Sequence, residues 1–321
     1  MRALAGLMLL AAGCGGTESP ISHPGERVIR WEAVEPEALG HDLGDPLVVP
    51  WFFSSHAGDL YVLDGGDRGV KRYDTDGRLL NRITAGVGDG PGEVRQAIDY
   101  AFEADSVWVL DGNSRLIHHF KLDGTYLDRI SLEQQMLGHR IRRTPDGFAL
   151  VTMMSAELVT FVDRQGVQTG AVRIPLQDRL DPMALDGRLE NSGEGIAYVP
   201  RFPGAYYLIR DGAVEEIASM DDPIEEPEAE AVNGVRRAPR YEILTGAVTA
   251  DREGQYFSTV HREPQPDGFQ TYVDHYDDQW RYQGTIGIRE RAAYASIIND
   301  EVFARVDTAV VRFAIRLISE Q

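Results

Sequence analysis

Residues Leu60–Ile83, LYVLDGGDRGVKRYDTDGRLLNRI, and Val107–Ile130, VWVLDGNSRLIHHFKLDGTYLDRI, align without a gap at an offset of 47 and are identical at ten of 24 positions. They share VLDG, the arginines Arg68 and Arg115, the pairs Asp76-Gly77 and Asp123-Gly124, and a terminal Arg-Ile. Apolar runs broken by Gly and Asp read as strands joined by tight turns, and an Asp-Gly pair is strong hairpin chemistry. Ala97–Phe102, ahead of Glu103-Ala104-Asp105, adds a fourth strand to the unit. Four antiparallel strands recurring every ~40–50 residues are the mark of a propeller blade.

Weaker copies extend the pattern toward the C-terminus. Phe148–Ile174 repeats it around Arg164-Gln165-Gly166, Gly195–Ile217 around Arg210-Asp211-Gly212, and Tyr256–Ile286 around Asp277-Asp278. Dividing residues 27–321 by the 47-residue period predicts an all-β, six-bladed β-propeller of four-stranded antiparallel blades; seven shorter blades is the alternative. The final segment VFARVDTAVVRFAIRLI has no hairpin partner downstream. The early strand RVIRWEAV, Arg27–Val34, would supply it. An N-terminal strand completing the last blade closes the ring and removes a free sheet edge. Residues 27–321 are therefore expected to form one domain, although a chain of 321 residues often divides into two.

Ahead of that domain, one charge at Arg2 and a ten-residue apolar run, Ala3–Ala12, precede small residues, as in a secretory signal peptide. LAAGC, Leu10–Cys14, resembles the lipobox of bacterial lipoproteins, with Ala11 where leucine is usual. The resemblance implies cleavage after residue 13 and a lipid on Cys14, the chain's one cysteine. Residues 14–26, rich in Gly, Ser and Pro, then read as a flexible tether. The expected location is the bacterial cell envelope, anchored in the membrane by lipid and facing the periplasm or the cell surface.

The connector GVGDGPGE, Gly86–Glu93, followed by VWVLDGNSR and FKLDG, resembles the NHL repeat. The whole chain is similar to bacterial six-bladed β-propeller lipoproteins related to NHL proteins, sharply over residues 60–130 and weakly from 140 onward. That resemblance implies a recognition platform, since NHL-like propellers mostly bind. Some relatives are metal-dependent lactonases or lyases.

The charge narrows the partners. With 51 acidic against 32 basic residues the net charge is −19, which argues against nucleic acid, whose phosphates need a basic surface. Only Lys71 and Lys121 are lysines, so the positive charge is almost all arginine. Asp64 and Asp111 recur in register, as turn-capping residues would and a unique catalytic acid would not. His118 and His119 are adjacent in a strand and so point to opposite faces; aligned with Lys71 and Arg72, they read as solvated positions. The acidic stretch Glu215–Glu230 lacks calcium-loop spacing and reads as a solvated loop.

Ligand sites in a repeat protein belong where the repeat breaks. In a four-stranded blade the second-to-third loop and the blade-to-blade connector leave on one face. Pro200–Gly204 and His261–Phe269 read as such loops, and Gln134–Arg143, Ser219–Arg240 and Gly287–Ala295 as connectors. They carry the proposed ligand-binding residues Arg140, Arg143, Arg201, Phe202, Arg236, Arg240, His261 and Arg262. Arginine forks match carboxylates bidentately, so the expected partner is an envelope protein, an acidic peptide or an anionic carbohydrate. The expected function is a non-catalytic binding or scaffold module, a monomer without a cofactor. The alternative is a lactonase-like hydrolase or lyase with a metal such as Ca or Zn in the central channel. Asp99, Asn191, Glu194 and His275 are its candidate ligands.

Overall fold

Strand β1 (Ile29–Leu39) opens the chain and ends up beside the last strand. The first hairpin repeat forms β2 (Pro50–His56), β3 (Asp59–Asp64), β4 (Gly69–Tyr73) and β5 (Leu79–Arg82). The second forms β6 (Ala97–Glu103), β7 (Ser106–Asp111), β8 (Leu116–Lys121) and β9 (Tyr126–Ser131). Two more units follow: β10 (Arg140–Arg143), β11 (Gly147–Val151), β12 (Val159–Asp163), β13 (Gln168–Val172); then β14 (Gly187–Ser192), β15 (Gly195–Pro200), β16 (Ala205–Arg210), β17 (Ala213–Ser219). A small hairpin, β18 (Ala231–Val232) and β19 (Val235–Arg236), interrupts the series. The chain continues through β20 (Thr245–Ala250), β21 (Tyr256–His261), β22 (Thr271–Tyr276) and β23 (Tyr282–Ile288), and ends with β24 (Ala292–Ile298), β25 (Glu301–Val306) and β26 (Ala309–Leu317). This computed structural model describes residues 27–39, 47–133, 136–152, 155–178, 185–193, 195–201, 205–219, 231–232, 235–236, 245–250, 256–261 and 267–318.

The fold is an all-β β-propeller of four-stranded antiparallel sheets. β2–β5, β6–β9, β10–β13 and β14–β17 each form a separate sheet in sequence order. The remaining eight strands run β20-β21-β22-β23-β1-β26-β25-β24, two four-stranded halves joined at β1. Innermost strands neighbour one another from β6 through β10, β14, β20 and β24 to β2. A hydrogen bond from β2 to β6, Ser54 Oγ to Tyr100 OH at 2.9 Å, completes the circle. Apolar side chains fill the gaps between sheets: Phe53, Val62, Val107 and Phe303 in one cluster, Trp108, Phe148 and Leu150 in the next.

The repeated motif has a physical reason. Asp64, fully buried, accepts the N–H groups of Val48, Val49 and Gly66, and the Lys71 ammonium at 2.9 Å. Asp111 does the same for Arg95, Gln96 and Asn113. Each carboxylate thus pins the loop after its strand to the segment entering the innermost strand of the same sheet, satisfying donors the ladder leaves open. Gly124 recurs for a different reason. Its φ is +88°, and a Cβ there would stand 2.4 Å from the Arg82 carbonyl of the preceding sheet.

One expectation needs correcting here. Lys71 and His118 are buried, not solvated, because they face these clamp carboxylates: Lys71 pairs with Asp64 and Asp67, and His118 lies 3.9 Å from Asp111. Their neighbours Arg72 and His119 point the other way, pairing with Asp59 and Asp128.

β1 pairs antiparallel with β26 from Trp31 to Leu39, as its role of outer strand requires. It also pairs in parallel with β23, Ile29 with Thr285 and Glu32 with Gly287. Just before it, the Arg27 guanidinium grips the fully buried Asp274 carboxylate at 2.9–3.0 Å, and Thr285 Oγ1 donates to the same carboxylate at 2.7 Å. Removing one partner of such a pair strands a buried charge at a cost of ~3–5 kcal/mol. Asp274→Asn should therefore lower the urea midpoint by an amount equal to about 3 kcal/mol; an unchanged midpoint would show that closure does not rest on this pair.

Candidate functional site

Successive residues of a strand alternate sides, so the innermost strands offer every second side chain to the axis. Counting back from the hairpin-closing pairs His56–Asp59, Ser192–Gly195 and Ile298–Glu301 sets the levels. Phe52, Arg188 and Tyr294 fall on one level; Ser54, Glu190 and Ser296 lie two residues nearer the short-turn face. The turn itself is tight: Ala57-Gly58 and Asn299-Asp300 all have positive φ, as the primed hairpins demand.

At the lower level, toward the long connectors, arginine dominates. Arg188 of β14 reaches across the axis, its guanidinium 4.3 Å from the Phe52 ring centroid and 5.8 Å from that of Tyr294. Cation–π contact replaces an ion pair there: no carboxylate lies within salt-bridge distance among the described residues, and its Nη1 has no hydrogen-bond partner. Burial, with the neighbouring Arg140 charge, lowers its pKa to about 10. Arg140 pairs with Asp186 at 2.7 Å, and Arg201 approaches the same carboxylate at 3.6 Å. Two guanidiniums thus share the Asp186 carboxylate, with the Arg188 charge near but not paired to it.

One level up, Arg142 meets Glu190 of its own level and Asp99, which the closing pair Glu103–Ser106 puts on the Arg188 level. Arg142 lies 3.4 Å from Asp99 and 3.6 Å from Glu190. Asp99 is committed elsewhere too, accepting the N–H groups of Tyr100 and Ile141, both at 2.9 Å. Above this level a cavity of about 480 Å³ opens on the short-turn face. Its walls include His56, Phe102, Asn191, Thr249 and Ser296.

Arg140 and Arg143, expected in a connector, lie on the innermost strand β10, whose short hairpin begins earlier than the repeat suggested. Arg143 points away from Arg140's partners, to Glu103 at 2.8 Å and over the Phe148 ring. Arg201 sits just beyond β15, as expected of a loop residue. Phe202, Arg240 and Arg262 lie outside the described residues, as does Cys14; so do the side chains of Arg236 and His261. Arg188 and Glu190 were missed. The signal was available in Asp186-Gly-Arg-Leu-Glu190, charges at every second position of a strand whose counterparts are Phe52, Ser54 and Tyr294, Ser296.

For the metal alternative, Asp99 and Asn191 do lie on innermost strands, whereas His275 is on β22 and packs against Trp31. Glu194 lies outside the described residues. Among the described residues no three His, Cys, Asp or Glu side chains are grouped to hold a metal.

Burial raises the pKa of Glu190 above the usual carboxylate range, against the pull of Arg142. A carboxyl whose folded pKa exceeds its unfolded value holds its proton more firmly when folded, so its contribution to stability falls as pH rises through that raised pKa. Glu190→Gln should therefore gain stability relative to the parent as the pH rises above the ordinary carboxyl pKa, read as the difference in urea midpoints; a constant difference would count against it.

No protein-family model matches the chain, and no curated protein matches it. Solved structures do. A protein of Bacteroides fragilis described as exported is similar with a TM-score of 0.65 at 12% identity, covering 93% of this chain and 99% of that one. A member of the DUF4221 family from Bacteroides vulgatus gives 0.60 at 7%, covering 91% and 99%. Virginiamycin B lyase from Staphylococcus aureus gives 0.53 at 9%, covering 90% and 100%. Identities this low speak for a common fold, and the fold they support is the β-propeller.

Proposed function

We propose that the chain is a non-catalytic binding module that holds a carboxylate-bearing ligand at the long-connector end of its axis. One observation carries this reading: Arg188, a shielded guanidinium with no ion pair among the described residues, stands near Arg140, which already shares the single carboxylate of Asp186 with Arg201. A cation held this way in low dielectric is short of an anion, and a bidentate acid restores the balance. In a chain of net charge −19 the local excess also steers anions to that end rather than to the body. The remaining positions, Phe202, Arg236, Arg240, His261 and Arg262, are proposed as the wider rim of the same face, whereas Arg143, paired with Glu103 beside the short turns, belongs to the other end.

The ring is proposed to have six blades, counting the eight-stranded sheet as two. An NHL-like ancestry is part of the same proposal. So are an extracytoplasmic location and a lipid anchor at Cys14; the exported protein of similar fold is consistent with the location. A lyase-like reading draws on virginiamycin B lyase, but Asp99, its best-placed acid, already serves two backbone N–H groups and Arg142. Binding remains the better account.

Titration of the purified protein with glucuronate, followed calorimetrically, tests the site. A charge-assisted hydrogen bond contributes ~1.5–3 kcal/mol, so Arg188→Gln should weaken binding by roughly 10- to 100-fold. Equal affinity in the variant, or no binding by the parent, would sink the proposal. Anchorage has its own test: the intact protein should partition with membranes and Cys14→Ser should release it, whereas identical fractionation would remove Cys14 from consideration.

A further inference from the structure

The opposite end of the axis has different chemistry. Phe52 and Tyr294 line the inner end of the 480 Å³ cavity, which faces the short turns. That volume lies within the range of small-molecule sites, ~300–1,000 Å³. A second cavity of about 970 Å³ shares Phe102, Arg143 and Asn191 with it and continues between the β10–β13 and β14–β17 sheets. An elongated ligand could occupy both.

Its charges cancel inside the protein. Arg142 is matched by Asp99 and Glu190, Arg143 and Arg164 share Glu103, whose pKa the Arg143 hydrogen bond lowers to about 2, and Asp300 adds a further acid to the lining. No excess cation remains to call for an anion, in contrast to the other end, where Arg140 and Arg201 share Asp186 and Arg188 has no ion pair among the described residues. What the cavity offers instead is aromatic surface and neutral polar groups. The His56 and Phe102 rings stack 4.2 Å apart, within 5° of parallel, at the mouth. Tyr100 and Tyr294 stand deeper, with each hydroxyl already donating to a backbone carbonyl, so that their rings are what they present.

The neutral groups are Ser55, Asn191, Thr249, Ser296 and Asn299. Hydroxyls and amides both donate and accept. Thr249 Oγ1 is buried and has no hydrogen-bond partner among the described residues, an arrangement that costs free energy until a partner arrives. Asn191 and Asn299 are exposed on the rim, free to turn toward a ligand. A ligand matching this set has polar groups that each donate and accept, and flat apolar faces that lie on aromatic rings. Those are the properties of a saccharide.

We propose that this cavity is a second binding site, for a neutral saccharide of two or more rings. It does not depend on the anion site, and the two are separable by substitution. Calorimetric titration of the full-length protein with maltotriose and with N,N′-diacetylchitobiose is the test. Binding of at least one is expected, with Asn191→Ala and Thr249→Val each weakening it roughly 2- to 10-fold, the size of one neutral hydrogen bond. Arg201→Gln, at the anion site and away from this cavity, should leave saccharide affinity unchanged. Thermal unfolding of the two cavity variants, expected within a few degrees of the parent, separates lost binding from lost fold. No heat from either sugar at millimolar concentration overturns the proposal. So does binding that neither cavity substitution alters, which would locate the sugar elsewhere.

Discussion

Closure of the ring by β1 is the constraint on which the rest of the molecule depends. The last sheet half, β24 to β26, has an open edge until β1 adds to it, and an open edge leaves a row of backbone donors and acceptors unpaired. β1 is doubly committed, antiparallel to β26 and parallel to β23, so it ties two neighbouring sheets together. The Arg27–Asp274 pair fixes its entry. Only in a closed circle do residues from non-adjacent strands, such as Arg188 and Phe52, come to face each other.

That circle inverts the electrostatics of the chain. The body is strongly acidic, yet the axis gathers Arg140, Arg142 and Arg188 from two neighbouring innermost strands. Carboxylates on and beside neighbouring innermost strands neutralise part of this charge, and they do so unevenly. Arg142 is balanced by Asp99 and Glu190, whereas Arg140 and Arg201 share Asp186 and Arg188 has no ion pair among the described residues. Screening at the surface weakens long-range attraction, whereas a guanidinium held over aromatic rings is less screened and keeps its preference for an anion. The two ends of one channel thereby differ in charge balance without any change of fold.

The repeat shows how scaffold and site divide the sequence. Asp64 and Asp111 recur because every such loop needs its backbone donors satisfied, and their burial also draws in Lys71 and His118. Those two positions looked solvated because a charged or imidazole side chain in a strand usually faces water; the clamp carboxylate reverses that preference. The hairpins and the outer role of β1 were legible for a local reason: turn chemistry and alternation act over a few residues. Arg140 and Arg143 were read as connector residues because β10 is only four residues long and its copy of the motif has worn away.

Composition, the 47-residue period and the Asp-Gly turns by themselves determined an all-β architecture of four-stranded repeats, since each depends on neighbours in sequence. Tertiary structure decided which charges meet. The separation between Phe52 and Arg188 along the chain says nothing of their contact across the axis, and Asp99 reaches Arg142 only because β6 lies beside β10. Period-two alternation tells which residues share a face, but the direction of that face, toward the axis or a neighbouring sheet, is set by closure of the ring. The opening repeat therefore specified the scaffold, and its closure placed the arginines.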